Sequence, residues 1–387
     1  MPQEIATIPL QNKIQERESE KTKVFVGLSG GVDSGTSAAI LKERGYDVAG
    51  VFIKIWQPEF IECTWREDRL DAMRIAAALD IPFREIDLSH EYKTEIVEHM
   101  VRDYERGITP NPDVLCNEKI KFGHFAQWAF AHGADLIATG HYARVEPAVI
   151  SQTYHHGDKS DLSPQLMRGV DPLKDQSYFL CRVRTEELAR TLFPIGDLSK
   201  SEVRKRAQAC GLPVAHKPDS QGLCFVGDVS MRDFLARYIT LKEGDVIDTD
   251  GNKIGTHDGA ALYTIGQRHG FRVSGHTEGA QYVIATSIKD NTVTVSLDRS
   301  LGEVREIMLE DMHWIGETPQ LPLSTLAQSR HREAPFPVSL RQADDGMRVQ
   351  FDAPHLVSSG QSLVLYDDDR VFGAGVIRRI ERHIEAL

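Results

Sequence analysis

From Lys23 to Gly140, short apolar runs rich in β-branched residues alternate with segments whose apolar positions recur every three to four residues. KVFVGLS (Lys23 to Ser29), YDVAGVFIKIW (Tyr46 to Trp56), IPFREIDL (Ile81 to Leu88) and ADLIATG (Ala134 to Gly140) read as strands. Ser34 to Arg44, Asp68 to Leu79, Glu91 to Tyr104 and Glu118 to Ala131 read as helices, the second with Leu70, Met73, Ala77 and Ala78 at helical spacing. Repeated β-α units imply an α/β fold, a parallel sheet with helices on both faces, and ligands beyond the carboxyl ends of its strands. After His141 the pattern loosens. Ser151 to Ser163 reads as a hairpin loop; SKSE (Ser199 to Glu202) has the spacing of a capping box, and Gly211 with Pro213 ends the helix it opens. From about Gly244, alternating segments such as ATSIKDNTVTVSL, MRVQF and QSLVLYDDDRVFGAGVIRRI describe antiparallel β-structure in two small domains, the last a barrel.

A chain of 387 residues has room for two or three such domains. It holds no apolar run of the roughly 18 residues that span a bilayer, so no membrane partner is expected. Residues 1–20 carry four Glu against one Lys and one Arg, unlike a signal or transit peptide; they read as a mobile leader on a cytoplasmic protein. Lys plus Arg number 45 and Asp plus Glu 57, a net charge of −12 that repels a polyanion at long range. A nucleic acid would have to be gripped locally. The candidate patches are Lys200, Arg204, Lys205 and Arg206 on one helix, Arg330, His331 and Arg332, and Arg378, Arg379 and Arg382, although most such clusters are merely solvated faces. Five cysteines (Cys63, Cys116, Cys181, Cys210 and Cys224) with no CxxC pair argue against a secreted disulfide framework and a structural zinc, leaving buried thiols or reactive ones.

The sharpest chemical signal is GLSGGVDS (Gly27, Leu28, Ser29, Gly30, Gly31, Val32, Asp33 and Ser34), set between a strand and a helix. Adjacent glycines bring bare N–H groups close to an anion, Ser29 and Ser34 add hydroxyls, and the helix presents its positive end. This is a phosphate cradle without the GK[ST] of a Walker loop.

SGGVDS resembles the signature of the PP-loop, or N-type ATP pyrophosphatase, superfamily. Further segments resemble, in order and spacing, the MnmA family of tRNA-specific 2-thiouridylases: TPNPDVLCNEKIKF (Thr109 to Phe122), ATGHYAR (Ala138 to Arg144), LKDQSYFL (Leu173 to Leu180), FPIGDLSKSEVRKRA (Phe193 to Ala207), KPDSQGLCFVG (Lys217 to Gly227), YTIGQRHG (Tyr263 to Gly270) and VSSGQSLVLY (Val357 to Tyr366). The resemblance implies a Rossmann-like pyrophosphatase domain over 21–222, a central mostly-β domain over 223–301 and a tRNA-contacting barrel over 302–387. It also implies adenylation of a tRNA uridine oxygen by ATP with Mg²⁺ and its replacement by sulfur, with no fixed protein metal site and no iron–sulfur cluster. Cys224 resembles the family's persulfide carrier and Cys116 its partner, which either frees hydrosulfide or resolves the transfer; both schemes leave a Cys116–Cys224 disulfide. Asp113 resembles an acid–base group within Asn111-Pro112-Asp113, the segment that holds the base, against the plain reading of an Asp in a turn. Asp33 is expected to cap its helix or to help hold Mg²⁺, and Asn117 and Lys119 to cap and position theirs. Ile53, where the family often has Met, and Gly140 resemble nucleotide contacts. His141, Lys174, Asp175, Gln176, Arg330, His331 and Gln361 resemble tRNA contacts. The implied partners are tRNA and a sulfur-relay protein fed by a cysteine desulfurase, the free protein being monomeric. Two rivals stay open: another PP-loop adenylating enzyme, and a binder without turnover.

Overall fold

The computed structural model describes residues 21–60, 65–147, 163–219, 229–274, 279–344 and 346–378. The readings placed on the leader, Cys63, the 151–162 stretch, Cys224, Arg379 and Arg382 lie outside the described residues.

Strands β1 (Lys23–Gly27), β2 (Asp47–Lys54), β3 (Phe83–Asp87), β4 (Leu136–Ala138) and β7 (Thr191–Leu192) form a parallel sheet in the order β3-β2-β1-β4-β7. The three middle residues of β1 are buried because the sheet is covered on both sides. Val24 and Val26 pack with α1 (Val32–Glu43) and α2 (Trp65–Ala78). Phe25 faces the other way, toward two helices with π-helical centres. Of these, α3 runs through Ser89–Glu91, Tyr92–Val97 and Glu98–Glu105, and α4 through Pro112–Leu115, Cys116–Phe125 and Ala126–Ala131. Two expectations are corrected here. On α2 the buried positions are Ala72, Ile75 and Ala76, while Leu70 and Met73 are 47% and 39% exposed; small alanines let the helix approach the sheet closely, so the longer chains point outward. The fourth helix begins at Pro112, not Glu118, because Asn-Pro-Asp serves as N-cap and first turn rather than as a free turn.

The hairpin β5 (Ala143–Pro147) and β6 (Pro164–Arg168) leaves the parallel sheet and pairs through β6 with the final strand, β18 (Arg370–Ile377), of the last domain. The short helix α5 (Thr185–Leu188) and α6 (Lys200–Ala209) follow; α6 opens with the expected capping box of Ser199 and Glu202. After α7 (Met231–Leu235), strands β8 (Gly244–Ile247), β9 (Lys253–His257), β10 (Arg272–Val273), β11 (Tyr282–Ser287) and β12 (Thr292–Ser296) make the central sheet. In it β8 and β12 are parallel, where antiparallel pairing alone was expected. The final domain contains β13 (Val304–Trp314), β14 (Leu323–Gln328), β15 (Phe336–Ala343), β16 (Gly346–His355), β17 (Ser362–Asp367) and β18 (Arg370–Ile377). Pairing of β13 with both β16 and β18 closes these six antiparallel strands into a barrel.

All three units meet at the segment leading into α4. Gln361 Nε2 donates to the Thr109 and Pro110 carbonyls at 2.8 and 3.0 Å, and the Thr109 hydroxyl lies 3.0 Å from that of Thr264. Arg330 donates to the Ile265 carbonyl, joining the barrel to the central domain.

Candidate active site

Strand β1 ends at Gly27, and its continuation turns sharply at Gly30, whose φ is +74°. A Cβ there would lie 2.3 Å from the Asp68 carbonyl, so only glycine fits both the conformation and the space. Ser29 N–H donates to Ser34 Oγ, which in turn donates to the Gly31 carbonyl. Gly31 is the N-cap of α1, and no side chain caps that end. Its first-turn N–H groups are the donors an anion would use. Ile53, at the end of β2, places its Cδ1 3.7 Å from where a Gly27 Cβ would stand, beside the same loop.

Asp33 does not cap the helix; its carboxylate accepts from Lys200 Nζ at 2.7 and 2.8 Å and from the Tyr142 hydroxyl at 2.8 Å. Lys200 also pairs with Asp219, which is held further by Lys174 and Arg204. Against the opposing effect of partial burial, the bonds and charges of Lys174 and Lys200 hold the Asp219 carboxyl at about 2. On the other flank Lys217 Nζ donates to the Gly30 carbonyl, Asp68 and Asp71. Thus Lys200 and Arg204, offered above as a nucleic-acid patch, are spent on carboxylates beside the loop. Tyr142, Lys217 and Asp219 lie in the quoted segments ATGHYAR and KPDSQGLCFVG, yet sequence reasoning gave none of them a role.

The second cluster sits at the head of α4. Asn111 is its cap, accepting from the Val114 N–H, so capping falls to this residue and not to Asn117 or Lys119. Asn117 is buried and donates to the Phe179 carbonyl, while Lys119 pairs with Glu118. The Cys116 N–H donates to the Asp113 carbonyl, which puts the two side chains one turn apart on one face. Burial raises the Asp113 carboxyl above its ordinary value, opposed by the charges of Lys121 and His331. Cys116 is 6% exposed and forms part of the packed core. By contrast Cys181 is fully buried with its thiol pushed up to about 12, and Cys210 donates to Glu43, as fits structural thiols.

Gly140 and His141 connect the two clusters. A Cβ on Gly140 would meet the Ser34 backbone nitrogen at 2.7 Å, so the end of β4 is pressed against the phosphate loop. The next residue, His141, lies inside the fold, with Nδ1 2.7 Å from the Thr139 hydroxyl and Nε2 3.4 Å from Lys121 of α4. Burial first, and then the Lys121 charge, hold its imidazole well below the usual value, so it is neutral.

A family model described as a tRNA methyl transferase HUP domain matches residues 22–228, one described as a tRNA methyl transferase PRC-barrel domain matches 232–297, and an aminomethyltransferase beta-barrel domain matches 304–377. The chain is 41% identical over 372 residues to the tRNA-specific 2-thiouridylase MnmA of Akkermansia muciniphila, covering 93% of this chain and 99% of that one. It belongs to the MnmA family of tRNA-specific 2-thiouridylases. The MnmA of Christiangramia forsetii is 40% identical over 403 residues, with 92% and 99% covered. Among solved structures, an NMN synthetase from Francisella tularensis is similar at 15% identity and a TM-score of 0.33, covering 58% of this chain and 81% of that one.

Several positions carried over from the MnmA family to tRNA contact are engaged within the protein here. The Asp175 side chain accepts from Arg168, Gly169 and Ser177, and its carbonyl lies 2.8 Å from His331 Nε2 of the barrel. Gln176 accepts from the Tyr142 N–H, Lys174 donates to Asp219, and Gln361 and Arg330 hold the junction already described. Of these, Gln361 donates to the Pro110 carbonyl just before Asp113, and His331 is close enough to act on its carboxyl.

Proposed function

We propose that the chain catalyses 2-thiolation of the wobble uridine of a set of tRNAs, spending ATP to AMP and pyrophosphate. The observation that carries this reading is the placement of Asp113 and Cys116 one turn apart on a helix joined through Gly140 and His141 to an uncapped phosphate loop. The loop residues Gly27 to Ser34, with Ile53 and Gly140, hold ATP. Uridine O2 attacks the α-phosphorus, the bond to the β-phosphate breaks, and pyrophosphate leaves with the electron pair. Oxide is a poor leaving group and AMP a good one, so C2 becomes open to a sulfur nucleophile. A persulfide is more acidic than a thiol near pKa ~8.5 and supplies that nucleophile at neutral pH. Cys224 carries it, and the terminal sulfur displaces AMP from C2. Cys116 thiolate then attacks Cys224 Sγ, releasing the C2 thiolate and forming the Cys116–Cys224 disulfide; the alternative order frees hydrosulfide first and ends on the same disulfide.

Asp219 supports the assignment of Cys224, for it lies five positions before that residue and is fixed beside the loop by Lys174, Lys200 and Arg204. Five residues reach at most roughly 18 Å. Asp113, its pKa raised, exchanges a proton with the base held by Asn111 and Pro112. Mg²⁺ would neutralise charge on the departing pyrophosphate; the Asp33 carboxylate, already holding a cation at the loop, fits one of its ligands, with phosphate oxygens supplying others. By the same resemblance tRNA is met at His141, Lys174, Asp175, Gln176, Arg330, His331 and Gln361, of which Lys174 and Arg330 are the groups able to grip phosphate, while a flipped uridine is read in the pocket. A sulfur-relay protein, a cytoplasmic setting and a monomeric free state belong to the same reading.

The test is mass spectrometry of nucleosides from tRNA incubated with the protein, ATP, Mg²⁺ and a persulfide donor. 2-Thiouridine should form with the wild type and vanish with Cys224→Ser, while pyrophosphate is still released. The burial of Cys116 favours the rival of an adenylating enzyme without a persulfide. That rival predicts no 2-thiouridine even from the wild type, and an adenylating activity that Cys224→Ser leaves intact.

A further inference from the structure

Four cationic side chains crowd the phosphate loop, and they are not equivalent. Arg204 spends one arm of its guanidinium on the Ala215 and Lys217 carbonyls, so it braces the chain after α6. Lys217 is held by three oxygens, one of them the Gly30 carbonyl, and so props the loop from behind. Lys174 pairs with Asp219 but not with Asp33. Lys200 differs from all three because its ammonium bridges Asp33, in the first turn of α1, to Asp219. It is only 13% exposed, with Nζ 5.8 Å from the centre of the Tyr142 ring.

Its stem is fixed while its tip is free to change partners. Lys200 is the first residue of α6, directly after the Ser199 cap, and its N–H donates to Asp171. The side chain is long enough to swing its ammonium by a few ångströms without moving the helix. Triphosphate arriving at the uncapped end of α1 brings several negative charges within reach of that ammonium. Asp33 keeps the Tyr142 hydroxyl, and Asp219 keeps Lys174 and Arg204, so neither carboxylate is stranded when Lys200 leaves.

The geometry points to Lys200 as the cation that grips the β- and γ-phosphates of ATP and then the leaving pyrophosphate, parked on Asp33 and Asp219 until nucleotide binds. This rests on the ATP-dependent reading above. As the uridine oxygen bonds to the α-phosphorus and the bond to the β-phosphate breaks, the electron pair departs onto pyrophosphate, where a charged donor is worth most.

Calorimetric titration of ATP and AMP, both with Mg²⁺, into the wild type, Lys200→Met and Lys200→Arg tests it. Loss of one charge-assisted contact should weaken ATP binding by about 10- to 100-fold in Lys200→Met. AMP, which lacks the contacted phosphates, should bind all three proteins alike, and Lys200→Arg should fall between the other two for ATP. A role confined to holding α6 against α1 would move ATP and AMP together, and that result overturns the proposal, as does unchanged ATP affinity. Should Lys200→Met fail to fold, the Lys200→Arg ranking between the two nucleotides decides in the same way. Failure of the wild type to bind ATP at all would count instead against the reading on which the proposal rests.

Discussion

Asp113 combines a partly hidden carboxyl with two neighbouring cations, and burial wins: its pKa is raised. A carboxyl whose folded pKa exceeds its unfolded one favours the folded state while protonated, and that contribution is lost as pH rises from about 3.8 through the folded value. Asp113→Asn should therefore be no less stable than the wild type at neutral pH, and more stable if anything, while product formation drops by about 10²- to 10⁴-fold. Urea melts at several pH values and single-turnover thiolation check the pair. His141 runs the opposite way. Its lowered pKa means that stability present above the ordinary value near 6.5 is lost as pH falls and the buried ring is forced to charge. His141→Gln should flatten that acid limb in the same melts. Asp113 and Cys116 were legible from their motif, but Lys200, Lys217 and Asp219 were not. A lysine's role here depends on which carboxylate the fold brings to it, and residues 33, 200 and 219 meet only in three dimensions.

Among the elements, the strand, the two glycines and the helix of the β1–α1 connection were readable because each has a local cause, whereas the expected capping by Asp33 was not met, its carboxylate being turned to Lys200 and Tyr142. Gly30→Ala should cost about 1–3 kcal/mol in stability and abolish ATP binding, since the new methyl would collide with the Asp68 carbonyl at a backbone angle that alanine disfavours. Thermal melting and nucleotide titration of that variant provide the check. The capping box at Ser199 was equally legible, and Ser199→Ala should lose about 1 kcal/mol. The head of α4 was misread because asparagine and proline mark turns and helix starts alike, and the residues downstream decide between the two. The buried face of α2 was misread for another reason: alanines that pack closely leave a weaker hydrophobic signal than the exposed Leu70 and Met73.

For the whole molecule, contacts from three units converge on the segment that leads into α4. The buried Tyr178 hydroxyl lies 3.1 Å from the Ser329 carbonyl and 2.9 Å from that of Ser362, and the β5–β6 hairpin continues the barrel sheet. Tyr178→Phe should destabilise the protein by about 1–3 kcal/mol, and in calorimetry the barrel should melt before the rest of the variant. This sharing of strands was not legible, because the pairing of β6 with β18 links residues some two hundred positions apart and no local pattern records it. The claim on which the whole account depends is that the uridine oxygen departs on AMP. Transcribing tRNA with ¹⁸O at uridine C2 and analysing the AMP released in single-turnover thiolation measures this directly. The account predicts one ¹⁸O atom in the AMP phosphate for each 2-thiouridine formed; unlabelled AMP accompanying 2-thiouridine would contradict it.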